Sequence, residues 1–320
     1  MDTYLGLDFG GTKLLIGEME EKGRILRSKR YATGVSTQQE ATETILRSLE
    51  DYMTTVGFAG TPRAGGVGIL GVTDHRRGLW VSINHEVQGP PVPLADIVAR
   101  KIGLPVYIDN DVRSATTAEL MLGHGQRSDD FIYVNVGTGI AAGVVARGHI
   151  LRGANNNSGE VGHMAVNAQD TLPCACGRTG CVENIASGIG FASQCKHLAG
   201  QYPDTALRLD ESGRMDVSRL FALADAGDPL SALLTENGIR ALACTIMNLV
   251  RVTDPDTVIL GGGIVSDGWL LQRLIPRLSP ATMRGVHNGV MLSAFDPREV
   301  GLIGAAALGL RAAQREAMGI

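Results

Sequence analysis

Two stretches of the chain repeat the order strand, glycine/threonine turn, strand, and this repeat constrains the fold more than any other feature. The first stretch is Gly6-Leu-Asp-Phe-Gly-Gly-Thr-Lys-Leu-Leu-Ile-Gly17, and the second is Val134-Asn-Val-Gly-Thr-Gly-Ile-Ala-Ala-Gly-Val-Val145. In each stretch, short apolar runs flank the glycines, which is typical of a β-hairpin. The repeat therefore indicates an internal duplication, with one hairpin opening each half of the protein.

Strands and helices alternate after each hairpin. Thr37 and Glu40 form the pattern of a capping box and predict the start of a helix. In the second half, apolar residues at helical spacing predict helices over residues 183–198, 217–226 and 232–252. This alternation predicts an α/β fold with a mixed sheet in each half. A chain of 320 residues also suits two domains, and we expect the break just after Asp111.

Composition and charge exclude several classes of protein. The net charge is −4, so no basic surface for nucleic acid is expected. No apolar run reaches the length of a membrane span, and the first residues read as a strand rather than a signal peptide, so we expect a cytoplasmic protein. The odd number of cysteines, 5, argues against a disulfide framework. Cys195 and Cys244 lie in apolar helical patterns and are expected to be core thiols.

The turn of the first hairpin carries residues suited to a phosphate group. Glycines at Gly10 and Gly11 let backbone N–H groups approach an anion without a Cβ in the way. Thr12 adds a hydroxyl and Lys13 a cation, while the Asp8 carboxylate could hold Mg²⁺. An ordinary glycine hairpin turn would explain the same residues equally well.

The turn of the second hairpin, Gly137-Thr138-Gly139, repeats this chemistry. One phosphate-type turn in each half is what binding the phosphates of a nucleotide requires, so the pair predicts more than either turn alone. A third glycine cluster, Gly261 to Gly263, follows the predicted strand Thr257 to Leu260. Such a run allows the flat approach of a ring, although a plain strand-to-helix turn is as compatible with it.

The sequence Asp109-Asn110-Asp111 lies between a predicted strand and a predicted helix. Residues at the carboxyl end of a strand face the ligand crevice of an open α/β sheet. A carboxylate there can accept the proton of a hydroxyl nucleophile, as in kinases. Spacing alone nevertheless favours a helix N-cap, since Asp and Asn are preferred caps.

Three closely spaced cysteines predict a metal site. Cys174, Cys176 and Cys181, with one histidine, can provide the four ligands of a tetrahedral Zn²⁺. A closed site of this kind leaves no open position, so the zinc would be structural. His163 is the first candidate for the fourth ligand. Three other histidines compete for that position: His124, His149 and His197.

Taken together, the motifs resemble those of the ROK family, which comprises bacterial sugar kinases and related repressors. The resemblance spans essentially the whole chain, and its most specific part is the cysteine motif with the glutamate that follows it. The motifs that carry it, in the order of the family, are Asp8-Phe-Gly-Gly-Thr-Lys13, Asn110-Asp111, Gly137-Thr-Gly139, Glu160-x-Gly-His163, Cys174-x-Cys176-Gly-x-x-Gly-Cys181-x-Glu183 and Leu260-Gly-Gly-Gly263.

The resemblance implies an actin-like fold, also described as hexokinase-like or ribonuclease H-like, with two α/β domains and a cleft between them. Residues 1–112 and 304–320 would form the smaller domain. Residues 113–303 would form the larger domain, with the zinc knuckle. The resemblance also implies ATP and Mg²⁺ in the reaction, a structural Zn²⁺ and a homodimer.

The resemblance further implies a role for each motif. Asp111 would be the general base, and Asn84 is a further candidate contact to the sugar. The residues that would bind the sugar are Asn110, Asp111, Glu160, His163 and Glu183. The zinc ligands would be His163, Cys174, Cys176 and Cys181. The residues that would bind ATP and Mg²⁺ are Asp8, Gly10, Gly11, Thr12, Lys13, Gly137, Thr138, Gly139, Gly261, Gly262 and Gly263.

The predicted function is ATP-dependent phosphorylation of a glucose-like hexose, at the 6-hydroxyl. N-acetylhexosamines and uncommon hexoses such as allose are alternative substrates. A sugar-responsive regulator is a remote alternative, since such proteins carry an N-terminal helix-turn-helix and here a strand begins by Tyr4. An actin-like ATPase without a sugar substrate would not need Glu160, His163 and Glu183. The chain departs from the family pattern at two places: Arg113, where many members have Asn, and Ala141-Ala142, where glycines are common.

Overall fold

The computed structural model describes residues 1–34, 37–83, 89–167 and 172–318. The chain divides into two compact units. The first contains Met1–Arg127, Arg152–Ser158 and Ala294–Ile320, and the second contains Ser128–Leu151 and Gly159–Ser293. No helix among the described residues combines the length and the apolar character needed to cross a membrane.

The strands and helices are numbered in chain order. Up to residue 122 the elements are β1 (Asp2–Phe9), β2 (Lys13–Glu20), β3 (Ile25–Ala32), α1 (Gln38–Thr55), β4 (Thr61–Ile69), β5 (Val72–Asp74), β6 (Leu79–Ser82), α2 (Leu94–Ile102), β7 (Val106–Asn110) and α3 (Asp111–Leu122). The elements that follow are β8 (Phe131–Val136), β9 (Ile140–Ala146), β10 (His149–Ile150), α4 (Val182–Ala186), α5 (Gly188–Leu198), α6 (Val217–Asp225), α7 (Pro229–Thr253), β11 (Thr257–Gly261), α8 (Trp269–Leu274), α9 (Pro280–Met283), β12 (Gly289–Leu292) and α10 (Val300–Ala317).

Each unit is built on a five-stranded sheet, and the two sheets share one topology. The strand order is β3-β2-β1-β4-β7 in the first unit and β10-β9-β8-β11-β12 in the second. In both sheets, the first three strands pair antiparallel and the last two join in parallel. The structure therefore confirms the duplication and the mixed sheets that the two hairpins predicted.

The first sheet has one face of large apolar side chains. Leu5, Leu7 and Phe9 alternate along β1 and are buried in a core with residues of α1, among them Ile45 and Leu49. Because successive side chains of a strand point to opposite faces, the residues between them line the other face. The capping box that begins α1 is present, since Thr37 and Glu40 bond each other's backbone N–H groups as predicted.

The opposite face of the first sheet carries a row of three paired glycines, Gly17, Gly6 and Gly66, on the neighbouring strands β2, β1 and β4. Helix α10 packs directly on this glycine row. A Cβ at Gly6 would lie 2.5 Å from the carbonyl oxygen of Leu302, and one at Gly66 would lie 1.9 Å from that of Ala305. Only glycine leaves room for the helix backbone at these positions.

Helix α3 packs beside α10 in the first unit, where a Cβ at Gly304 would lie 2.4 Å from the backbone of Ser114. This packing explains why the first unit continues to Arg127, past the predicted break after Asp111. The predicted domain bounds, residues 1–112 with 304–320 and residues 113–303, stay a prediction.

In the second unit, β8 and β11 are buried against α5 and α7. The single helix predicted over residues 183–198 is wrong, because the chain forms α4 and α5 with a break at Ser187. The Ser187 hydroxyl accepts a hydrogen bond from the N–H of Gly190 at 3.0 Å and caps a new helix there.

A test of the glycine row follows from its geometry. The substitution Gly66→Ala should destabilise the protein by about 1–3 kcal/mol or more, because the new methyl group can be accommodated only if α10 moves off the sheet. Urea unfolding followed by circular dichroism measures this loss. The matched control is Gly89→Ala, since a Cβ at Gly89 has no heavy atom within 4 Å. Equal stability of the two variants would contradict the packing role.

Candidate functional site

Asp111 begins α3, immediately after β7. Its Oδ1 accepts a hydrogen bond from the N–H of Val112 at 2.9 Å. The helix cap is the preceding residue, because Asn110 Oδ1 accepts from the N–H of Arg113 at 2.9 Å. Burial, and then the negative charge of Asp8, raise the pKa of Asp111 to about 6. The capping interpretation thus applies to Asn110, and Asp111 is a carboxyl group poised to take up a proton near neutral pH.

Asp109 has a different role from Asp111. It is 1% exposed and accepts hydrogen bonds from Arg113 Nε at 2.8 Å and from Arg152 Nη2 at 2.5 Å. Burial alone would raise the pKa of Asp109, but Arg152 and Arg113 outweigh that effect and hold it below its usual value. Asp109 is therefore a charged, doubly paired group and a poor proton acceptor.

Asp8 lies on β1 in the face that α10 covers. A Cβ at Gly301, in the first turn of α10, would lie 2.5 Å from the Asp8 carboxyl group, so the two are in close contact. Burial raises the pKa of Asp8, and the charge of Lys13 opposes this. A cation bound at Asp8 would stabilise its charged form, which suits a carboxylate that holds Mg²⁺.

The predicted phosphate turn between β1 and β2 is a closed hairpin. Gly10 donates its N–H to the carbonyl oxygen of Lys13 at 2.8 Å. The nearest atoms to a Cβ at Gly10 and Gly11 would lie 3.5 and 3.7 Å away, so this chain's own packing does not demand glycine there. Gly11 and Thr12 are exposed. The turn is therefore open to a ligand.

In the second unit, Glu183 of α4 lies against the turn of the second hairpin. Its Oε2 accepts a hydrogen bond from the N–H of Ile140 at 2.8 Å. A Cβ at Gly139 would lie 2.5 Å from that oxygen, and one at Gly162 would lie 3.2 Å from it. The structure thus brings together Glu183, the Gly137–Gly139 turn and the short Glu160–His163 segment.

The predicted zinc ligands form one cluster. The ligand atoms of His163, Cys174, Cys176 and Cys181 all lie within 4.8 Å of one another. His163 Nδ1 is 3.4 Å from Cys174 Sγ, and the sulfurs of Cys176 and Cys181 are 3.5 Å apart. Zn–S bonds of about 2.3 Å in a tetrahedron place sulfurs about 3.8 Å apart, so these residues fit zinc.

The thiols of this cluster have different environments. A hydrogen bond from the backbone N–H of Arg178 lowers the pKa of Cys176 to about 6, whereas burial raises the pKa of Cys181 to about 12, so a bound cation would be needed to hold both as the thiolates that bind metal. Among the described residues, the cluster contains none of the competing histidines, which were His124, His149 and His197.

The three glycines after β11 have different surroundings. A Cβ at Gly261 would lie 2.1 Å from the hydroxyl of Tyr133, and one at Gly262 would lie 2.4 Å from the carbonyl oxygen of Val136. These two glycines are needed for packing against β8. Only Gly263 has open space beside it. Asn84, the further candidate for a sugar contact, lies outside the described residues.

Sequence reasoning missed Arg152, and it treated Arg113 only as a departure from a family pattern. Arg113 lies four residues after Asp109, but Asp109 is in β7 and Arg113 is in α3, so the spacing rule for charged pairs on one helix gives no signal for this pair. Arg152 pairs with Asp109 from a distant part of the chain, and no local pattern announces it.

Comparison with known proteins identifies the family to which the chain is similar. A family model described as ROK matches residues 4–312. The glucokinase of Halalkalibacterium halodurans is 29% identical over 83% of this chain and 81% of its own length. The N-acetylmannosamine kinase of Citrobacter koseri is 31% identical over 95% of this chain and 97% of its own. A xylose repressor of Caldicellulosiruptor bescii is 32% identical over 61% of this chain and 49% of its own.

Solved structures give the same result. The ROK hexokinase from Thermus thermophilus superposes with a TM-score of 0.77 at 28% identity and covers 98% of this chain and 99% of its own. A ROK glucokinase from Streptomyces griseus, in complex with glucose and AMPPNP, gives 0.76 at 27% identity over 97% and 99% of the two chains. These matches confirm the predicted actin-like α/β fold.

The zinc cluster generates a prediction. Purified protein should contain about one zinc per chain by elemental analysis, because three sulfurs and an imidazole close the site. The substitution Cys176→Ser should remove most of it, since a serine hydroxyl does not ionise to replace the thiolate. Cys244→Ser is the control and should retain the metal, because Cys244 lies outside the cluster. Wild-type protein purified without zinc would refute the site.

The raised pKa of Asp111 generates a second prediction. The folded protein holds this proton more tightly than the unfolded chain, so the favourable contribution to stability is present below about pH 4 and is lost as the pH rises through about 6. The variant Asp111→Asn should therefore gain stability relative to wild type between pH 5 and pH 8, as measured by urea unfolding. The exposed Asp96 gives a control variant, Asp96→Asn, measured at the same pH values. A constant difference for Asp111→Asn would contradict the raised pKa.

Proposed function

The chain belongs to the ROK family, and from this membership and its site we propose that it is an ATP-dependent kinase of a glucose-like hexose, acting at the 6-hydroxyl. Relatives named glucokinase and N-acetylmannosamine kinase support a sugar kinase activity. The observation that carries the proposal is the Asp111 carboxyl group, whose pKa is raised to about 6 at the start of α3. A general base works best when its pKa lies near the working pH.

Asp111 would act as the base in a direct transfer. Above about pH 6 its carboxylate accepts the proton of the sugar hydroxyl. The oxygen forms a bond to the γ-phosphorus of ATP as the bond to the β-phosphate oxygen breaks and ADP leaves. Asn110 is well suited to hold the sugar beside this base, because its capping bond to Arg113 fixes its side chain.

The other sugar ligands would be Glu160, His163 and Glu183 of the second unit. The Nδ1 atom of His163 faces the cysteine cluster, so a bound zinc would fix the ring and leave Nε2 to meet a sugar hydroxyl. The bond of Glu183 to Ile140 holds that carboxylate in place in the same way. Fixed groups of this kind lower the entropy that must be lost when the substrate is oriented.

ATP would be held by the two glycine/threonine turns. Mg²⁺, when bound, would neutralise charge on the transferred phosphate, and Asp8 is the carboxylate assigned to it. Thr12, Lys13 and Thr138 would add donors to the phosphate oxygens. Gly263, which has open space beside it, would be the part of the third glycine cluster that approaches the adenosine.

Two alternative functions are each supported by similarity to a known protein. An N-acetylhexosamine would be the substrate if the pocket admits a 2-acetamido group, and the 31% identity to an N-acetylmannosamine kinase favours this class. A regulator without kinase activity is the second alternative, because a xylose repressor also matches part of this chain. Turnover with sugar separates the regulator from both kinases.

The base assignment is tested by Asp111→Asn. This variant should bind sugar with nearly the affinity of wild type, and kcat should fall by roughly 10²–10⁴, because an amide cannot accept the proton. Coupled measurement of ADP release gives kcat, and calorimetry gives the dissociation constant of the sugar. The control Asp96→Asn should match wild type. Near-normal turnover of Asp111→Asn would remove the general base from the proposal.

The sugar class is tested by ADP release from wild-type protein with glucose, mannose, fructose, allose, N-acetylglucosamine and N-acetylmannosamine. A glucose-like hexose should give the highest kcat/KM. A clear preference for an N-acetylated sugar would move the assignment to that class. Binding of a sugar without any ADP release would favour the regulator.

A further inference from the structure

A short segment of the chain, Arg152–Ser158, belongs to the first unit although the residues on both sides of it belong to the second. Its two ends meet, since Ser158 donates its N–H to the carbonyl oxygen of Arg152 at 3.1 Å. At its middle, Asn156 adopts a left-handed backbone conformation with φ 54°. The segment is therefore a small closed loop attached to the first unit.

Three contacts hold this segment. Arg152 Nη2 donates to Asp109 Oδ2 at 2.5 Å. Asn156 Oδ1 lies 3.2 Å from Nδ1 of His75. The carbonyl oxygen of Ser158 accepts from Arg113 Nη1 at 3.2 Å. Two of the three contacts converge on the Asp109–Arg113 pair, which is next to Asp111 in sequence.

Arg113 donates three separate hydrogen bonds. Its backbone N–H binds the Asn110 side chain, its Nε binds Asp109 at 2.8 Å, and its Nη1 binds the Ser158 carbonyl. The side chain is almost fully buried. One residue thus ties the cap of α3 to the Arg152–Ser158 segment.

Two guanidinium groups packed around one buried carboxylate are expected to add little net stability to a fold. The desolvation of the charges offsets most of their attraction, and apolar residues of similar size commonly serve as well. The planar guanidinium does provide donors in a fixed geometry, which sets direction and distance. This favours a role for the pair in positioning rather than in stability.

We propose that Arg113 is a positioning residue for the sugar: its guanidinium group, held by Asp109, fixes the Arg152–Ser158 segment in one arrangement beside Asp111. This rests on the kinase function proposed above. The segment offers the exposed amides of Asn155 and Asn157, which are donors and acceptors suited to sugar hydroxyls. Arg113 itself would not touch the sugar.

The charge of Arg113 has a second effect. It lowers the pKa of Asp111, whereas burial and the negative charge of Asp8 raise it. Lys13, in turn, lowers the pKa of Asp8. Removing the charge should therefore raise the pKa of the base, and the acid limb of the kcat profile should move to higher pH. A purely structural residue would not shift this profile.

The test compares Arg113→Lys and Arg113→Met. Lysine keeps the charge and loses the fork of donors, so the KM for sugar should rise about tenfold with the pH profile unchanged. Methionine loses both, so the KM for sugar should rise about 10- to 100-fold and the acid limb should move up by about half a unit to one unit. The KM for ATP should stay near the wild-type value in both variants. The matched control is Arg63→Met, since Arg63 is exposed and pairs only at the surface with Asp2.

Two results would overturn the proposal. One is an Arg113→Met enzyme with the wild-type KM for sugar and the wild-type pH profile. The other is an equal rise of the KM for sugar and the KM for ATP in Arg113→Met, accompanied by partial unfolding of the variant. If Arg113→Met does not fold, Arg152→Met leaves the Arg113–Asp109 pair in place and should still weaken sugar binding about tenfold, and an unchanged dissociation constant would also refute the role.

Measurements on wild-type protein test the kinase function independently of the Arg113 variants. Wild-type protein that binds sugar but releases no ADP refutes the proposed reaction, whereas calorimetry on the Arg113 variants still measures the positioning role. Wild-type protein that binds none of the sugars refutes both proposals.

Discussion

The close packing of α10 on the glycine row of the first sheet is the constraint on which that unit depends. Gly17, Gly6 and Gly66 lie side by side on three strands, and the backbone of α10 approaches Gly6 and Gly66 more closely than any side chain there would allow. The helix brings Gly301 against Asp8 and Gly304 against the backbone of α3, the helix that begins at Asp111. The contact with Gly301 helps to bury Asp8, whose pKa is raised by burial and whose negative charge in turn helps to raise the pKa of Asp111.

The two units use one topology for different chemistry. Their sheets have the same strand order and the same change from antiparallel to parallel pairing. The first hairpin carries Asp8 on β1, whereas the second is held by Glu183, which follows Cys181 of the cysteine cluster by two residues. A duplicated sheet therefore serves as a frame, and the inserted segments between its strands determine what each copy can bind.

The elements defined by local signals could be predicted from the sequence. The hairpin predicted around Gly137-Thr138-Gly139 is present as β8 and β9, because apolar runs on both sides of a glycine turn are a strong local signal. The helix over 183–198 failed because a single hydroxyl at Ser187 interrupts a continuous apolar pattern. The short strand β5 was missed, since its three residues are too few to show alternation.

The candidate site was predictable to a similar degree. Cysteine spacing was enough to predict a cluster of side chains that could bind a metal, whose fourth member in the structure is His163. Spacing could not separate Asp109 from Asp111, because the difference between them depends on Arg152, which reaches Asp109 from a distant segment. Contacts between residues far apart in the chain set the two pKa values, and no local pattern records them.

The position of α10 at the end of the chain has a consequence for biosynthesis. The strands of the first unit are made early, yet the face with the glycine row stays uncovered until residues 300–317 have left the ribosome. The second unit, which is made in between, has all of its strands and its core by residue 293. The half of the protein that is translated first is thus the half that completes its fold last, and until then the glycine-lined face of its sheet is exposed to solvent.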